Sequence, residues 1–267
     1  MAKISNESRE NYEKKIKPYQ DELKNSLEKE KNILAIIKRD SSGIAYKKIL
    51  LCDEMIYQAS ILLIINSLSQ HLLNVRNNDV LNDARKALYK AIIYLEETVT
   101  NAVDVSYPEI EEKVNQLANM PLERRYYQIR KLGLAVRMLI DAFGDNSKWK
   151  WSFVELEGRF AVVSKNLIDM KKAAKDYFDP RSPDYDNTVY TMRLLKNLLT
   201  KSAAAYRDRY ELSTRRIDDM RMGIRFNMAL RRLCLVMGMR EEAEEAKKKA
   251  IVWNEKMEAD RKAGLSN

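Results

Sequence analysis

Ile61-Leu-Leu-Ile-Ile65 lies inside a run from Ile44 to Tyr107 that holds neither glycine nor proline, and its reading decides the fold. Five consecutive apolar residues carry apolar surface right round a turn of about 3.6 residues. A helix over residues 45–75 therefore has no polar face at its centre. Such a helix has to be surrounded by others, which places it in the middle of a bundle. Asn77-Asn-Asp79 breaks the pattern and caps a second helix, over residues 79–104. In that helix Leu81, Ala84, Leu88, Ala91, Leu95, Thr98 and Ala102 alternate threes and fours, a coiled-coil-like seam.

The scarcity of breakers extends to the whole chain, which has seven glycines and five prolines in 267 residues. Glycine supplies positive φ and proline a preset kink, so their rarity leaves room for long helices and little else. No segment alternates apolar and polar residues with the period of a strand. The expected fold is all-α, an elongated bundle of about seven to nine helices with long coiled-coil-like members.

Towards the N-terminus, residues 1–40 alternate lysine and glutamate and read as a solvated helix. Pro18 starts or kinks a segment there, and docking falls to Ile33, Leu34, Ile36 and Ile37. Asp40-Ser-Ser-Gly43 supplies a stop, one serine being placed to cap the next helix. Towards the C-terminus, Pro108 and Pro121 sit where first helical turns begin, predicting helices over 109–119 and 122–143. The second carries a stripe of Tyr126, Ile129, Gly133, Val136, Ile140 and Phe143, with Gly133 suggesting a close helix approach. Ser147 is the expected cap of a helix running to Phe178. Trp149-Lys-Trp151-Ser-Phe153, which opens it, reads as an aromatic lid on a bundle end; the competing reading is a membrane interface. Phe178–Asn187 holds two prolines and predicts a hinge or boundary between an N-terminal bundle (1–178) and a C-terminal long-helix region (179–267) packed on it, one continuous domain being the alternative. Beyond Pro183 a single helix over 185–236 is expected. Its seam is Leu199, Ala203, Tyr206, Tyr210, Ser213, Ile217, Met220 and Ile224. Gly238 then separates a last charged helix, 239–262. Residues 237–250 are similar to the second half of a tetratricopeptide unit, without a repeat at the period of about 34 residues.

His71 is the only histidine. Histidine is the usual general base and metal ligand near neutral pH. A di-iron bundle site needs two Glu-x-x-His pairs, and zinc sites and Ser-His-Asp or Cys-His arrangements fail on number or spacing. His71 is expected to be a buried or boundary residue. No glycine pair has phosphate-loop spacing. Asp218-Asp219-Met-Arg-Met222 has only the first pair of the aspartate motif with which all-α prenyl-transfer folds hold magnesium. Cys52 and Cys234 have no CxxC spacing and read as reduced, buried thiols. No catalytic residue, cofactor or metal follows from the sequence.

The polar N-terminus has no apolar core of a signal peptide, and the apolar run at 61–65 is far short of the roughly 20 residues that span a bilayer. A cytoplasmic protein without a transmembrane segment is expected. The net charge is +9, with 48 basic residues interleaved among 39 acidic ones. Most of these should pair along solvated helix faces. The exception lies between Lys201 and Arg240, where ten basic residues face four acidic ones. Arg215, Arg216, Arg221, Arg225 and Arg232, beside Ile217, Met220 and Ile224, form the candidate strip for a partner or an anion. Guanidinium forks suit carboxylate and phosphate. These features favour a non-enzymatic interaction or assembly protein acting through helix packing, with self-association. A basic adaptor on nucleic acid or anionic membrane is the alternative, and an enzyme with an unrecognised site the third reading.

Overall fold

The structure is a computed structural model that describes residues 5–144 and 149–265. The expected cap Ser147 lies outside those residues. The fold is all-α. Among the described residues there are ten α-helices and no strand: α1 (Asn6–Arg39), α2 (Ile44–Leu73), α3 (Asn78–Thr98), α4 (Tyr107–Asn115), α5 (Leu122–Phe143), α6 (Lys150–Asn166), α7 (Met170–Asp176), α8 (Tyr185–Arg209), α9 (Ile217–Val236) and α10 (Arg240–Lys262). The count exceeds the expected range because the long helix expected over 185–236 is two helices, and the one expected to reach Phe178 stops at Asn166. The chain forms two compact units, one from Met1–Thr98 with Arg130–Ser147, the other from Val99–Ile129 with Lys148–Asn267. The division expected at 178/179 falls inside the second unit, where α6 and α8, on either side of it, pack together.

In the first unit α2 packs on α1 and α3. Ile61 and Ile65 meet Ile16 of α1, with Tyr12, Tyr19, Leu23, Leu68 and Val80 around them. α1 runs unbroken through Pro18, whose missing N–H falls on an exposed turn where water can serve the orphaned carbonyl. Its second half docks through polar residues: Ser26 and Glu30 are buried, whereas Ile33, Leu34 and Ile37 are half-buried and Ile36 is exposed. The Glu30 carboxylate receives Lys90 Nζ, Tyr94 Oη at 3.3 Å and Gln58 Nε2 at 3.4 Å, so the buried charge is paired and hydrogen-bonded. Asp40 takes the stop. Its carboxylate accepts from Ser42 N at 2.8 Å, Ser42 Oγ at 2.7 Å and Lys47 Nζ at 2.9 Å, which hold it well below the usual carboxylate range. Gly43 caps α2 in the left-handed region at φ 58°. Asn77 Oδ1 caps α3 by accepting from Val80 N at 3.1 Å. The seam of α3 is buried from Leu81 to Thr98, but the helix ends there and Ala102 is exposed.

The second unit begins where α3 stops. The buried Asn166 donates to Thr100 O and Ala102 O, both at 3.0 Å, holding that segment out of helical geometry. Arg125 is buried as well and gathers three carbonyls: Leu167 O at 2.8 Å, Met120 O at 3.1 Å and Leu117 O at 2.5 Å. α8, α9 and α10 form two successive helical hairpins. The first turns at a π-helical segment, Tyr210–Thr214, followed by Arg215 at φ 52°. The second turns at Gly238, at φ 72°. Close approach occurs at Gly158 and Gly223. A Cβ on Gly158 would lie 2.6 Å from the Tyr206 ring, and one on Gly223 3.2 Å from both Ala203 O and the Trp253 ring. Phe153 of the aromatic lid is buried, with Trp149 and Trp151 half-buried beside it.

Candidate functional site

The arginine strip is largely spoken for within the second unit. Arg221 lies 3.3 Å from Asp218, Arg232 2.6 Å from Asp104, and Arg215 3.9 Å from Asp260 while stacking over the Tyr210 ring. Arg216 and Arg225 are exposed and have no ion pair among the described residues. Met220 is fully buried, and Ile217 and Ile224 are half-buried, so the apolar half of the strip faces the unit's own core. Asp218 and Asp219 point apart: Asp218 is exposed, while the buried Asp219 is gripped by Arg209 and accepts from Thr214 Oγ1 at 2.6 Å. His71 is exposed near the C-terminal end of α2, not buried or at a boundary, because the bundle leaves that end of the helix uncovered. Among the described residues no group of three or more histidine, cysteine, aspartate or glutamate side chains could hold a metal.

What the sequence reading missed lies on the first unit. α2 is not surrounded on every side. Leu50, Tyr57 and Ile64, spaced by sevens, stay exposed. Beside them, Leu134 and Met138 of α5 project at 63% and 47% exposure. The two helices flank a groove of about 460 Å3 whose floor includes Ile56 and Ala135. Charges edge it. Lys131 Nζ bonds Asp53 at 2.5 Å, and Tyr57 Oη donates to Glu22 at 3.0 Å, which pushes the phenol above its ordinary pKa. Glu54, which also lines the groove, buries one carboxylate oxygen that has no hydrogen-bond partner among the described residues. The spacing of Leu50, Tyr57 and Ile64 was legible in the sequence. Which stripe of an all-round apolar helix stays bare was not.

A family model matches residues 8–261, nearly the whole chain. The chain belongs to the TP0443 family. That description names no activity, substrate or partner, and no curated protein and no solved structure matches the chain. α2 of this TP0443 family member also meets the length and composition of a membrane-crossing helix, a test the contiguous run at 61–65 alone does not meet. Of its most apolar window, 67% is buried in the unit's own packing.

Proposed function

We propose that this TP0443 family member is a non-enzymatic protein that works by helix packing, and that the α2/α5 face of its first unit is where a second copy of the chain docks. The observation that carries the reading is the bare stripe Leu50, Tyr57 and Ile64 beside Leu134 and Met138. An apolar patch of this kind on a folded surface marks a contact site. Covering one such partly exposed side chain contributes about 1–2 kcal/mol. A two-fold contact uses each side chain twice, which brings the total to about 10 kcal/mol or more, against roughly 4–15 kcal/mol for association.

The charge pattern favours a second copy as the occupant. Within one chain Lys131 of α5 pairs with Asp53 of α2 and Arg137 with Asp141, which leaves Glu54 of α2 with a buried carboxylate oxygen that has no donor among the described residues. A self-complementary two-fold contact brings the α5 cations of one copy to the α2 acids of the other and supplies the buried Glu54 oxygen with a donor. Sedimentation velocity of the wild type and of Leu134→Glu/Met138→Glu tests this. Both positions are exposed, so the variant keeps its fold. The expected result is a dimer that becomes a monomer in the variant, while Leu212→Glu, at 73% exposure in the second unit, leaves the dimer intact. A wild type that stays monomeric at 100 micromolar (roughly the strength expected of such a patch), or a variant that stays dimeric, overturns the assignment. The unpaired Arg216 and Arg225 support the competing adaptor reading, whose signature is binding to nucleic acid or anionic vesicles that falls steeply with salt.

A further inference from the structure

The second unit contains a small, partly open cavity lined by residues of α4, α6, α7 and α9 and of the segment before α4. Ile110, Ala229 and Leu233 form its buried apolar floor, and Tyr107, Met170 and Arg232 stand at its rim. Lys165 of α6 also lines it. This lysine is 8% exposed and makes no hydrogen bond or ion pair among the described residues. Lysine is almost never buried unless paired, so a lysine side chain buried this far, whose ammonium faces the cavity without a protein acceptor, is an unfilled half of an interaction. The other polar groups nearby are committed. Arg232 Nε bonds Asp104 at 2.6 Å, and Tyr107 Oη donates to Asp169 at 2.9 Å. Glu109 accepts from Ser106 N at 3.0 Å.

We propose that this cavity binds a small organic monocarboxylate with a short apolar tail, its carboxylate taking up the Lys165 ammonium. Three features fix the class. The first is size. About 70 Å3 is open to the centres of water molecules, and a water needs about 10–15 Å3 of such space, so the cavity holds a ligand of about five or six heavy atoms. The second is charge. Asp104 is bonded to Arg232 and reaches Lys165 only through its field, which leaves the Lys165 ammonium without an acceptor of its own, and Glu109 beside Arg232 disfavours a dianion such as phosphate. The third is the apolar floor, which suits an alkyl tail and offers it no hydrogen bond. Burial of Lys165 with Arg232 nearby lowers its pKa to about 8 despite the opposing field of Asp104. An amine of this kind is sensitive to the arrival of a counter-ion.

The probe is sodium butyrate, titrated into the full chain by calorimetry at pH 7 in chloride buffer, with butyramide as the uncharged isostere. Butyrate should bind at least tenfold more tightly than butyramide. Affinity should fall about tenfold per pH unit above about pH 8, the pKa of the unliganded ammonium, and level off above the higher pKa of the complex. Lys165→Met, which keeps the length and removes the charge, should lose butyrate binding at least tenfold. Met170→Trp, which fills the cavity from its rim, should do the same and replaces the first variant if that one fails to fold. The proposal is overturned if wild type shows no butyrate heat at tens of millimolar, if butyramide binds as well, or if a folded variant binds butyrate undiminished.

Discussion

Replacing Lys165 by methionine should make the protein more stable at pH 7, and the gain should disappear at high pH. In the native state burial disfavours the ammonium and lowers its pKa from 10.5 to about 8. Below pH 8 the side chain is charged in both folded and unfolded chains, so the native state carries the whole desolvation penalty. Between pH 8 and 10.5 the unfolded chain binds more protons than the folded one, and stability therefore rises with pH. Above 10.5 the amine is neutral in both states and the penalty is gone. At 1.36 kcal/mol per pH unit the lowering amounts to about 3 kcal/mol. Methionine has nearly the same length and carries no charge, so it should recover much of that, about 2–3 kcal/mol, in a cavity whose floor is already apolar. Urea titrations of wild type and variant at pH 7, 9 and 10.5, in chloride and without carboxylate buffers, give the difference directly; other titrating groups cancel between the two proteins. A stability difference that is the same at pH 7 and pH 10.5, or a variant less stable than wild type at pH 7, would refute the reasoning. Either result would mean that burial does not penalise the ammonium in the native state.

Other expectations follow from single contacts. Arg125→Met should destabilise the second unit by about 3–5 kcal/mol in urea unfolding, because it strips the donor from buried carbonyls of Leu117, Met120 and Leu167 at once. Gly158→Ala should cost about 1–3 kcal/mol by overpacking, since the new methyl meets the Tyr206 ring at 2.6 Å, and Tyr206→Leu in the same chain should restore part of it. Neither Cys52 nor Cys234 should react with a thiol reagent in the native protein, since neither forms a disulfide, both are buried and burial raises the Cys234 pKa; reaction at native rates with either would place a mobile opening beside it.

Much of the fold was legible because apolar spacing reports burial directly. The seam of α3 was readable residue by residue up to Thr98. The end of that helix was not, because it depends on Asn166, an amide 66 residues away from Thr100 that holds the carbonyls of Thr100 and Ala102. The docking of α1 was misread for a related reason. Ile33–Ile37 looks like its apolar anchor, yet the anchor is Glu30, whose burial is tolerable only because Lys90, Tyr94 and Gln58 converge on it from α2 and α3. Long-range polar partners leave no periodic trace. The candidate surface was hidden in the opposite way. All-round apolarity marked α2 as central, but it contains no information about which stripe lacks a neighbour.

The turn at Tyr210–Arg215 separates the two things that periodicity can mean. The pattern from Leu199 to Ile224 keeps its alternation of threes and fours straight through a chain reversal. It does so because α8 and α9 form a hairpin and each turns an apolar face towards the other: Leu199, Ala203, Tyr206 and Tyr210 are buried before the turn, Met220 and Phe226 after it. Spacing therefore tells which face is covered, while continuity of the helix is decided by the polar groups at the break. Here Thr214 donates to Asp219 at 2.6 Å and accepts Arg216 N at 3.2 Å, Arg215 N returns to Tyr210 O at 3.1 Å, and Arg209 pairs with Asp219 across the reversal. Asp218 and Asp219 stand in the first turn of α9, where carboxylates favour a helix start, so the signal for a stop and restart was present in the sequence. An arginine-rich helix start following serine and threonine reads as a continuous strip only when the acids are taken as neutralisers of the arginines. Taken as first-turn residues, the same acids predict the hairpin, and with it the burial of Met220 that turns the strip's apolar half inward.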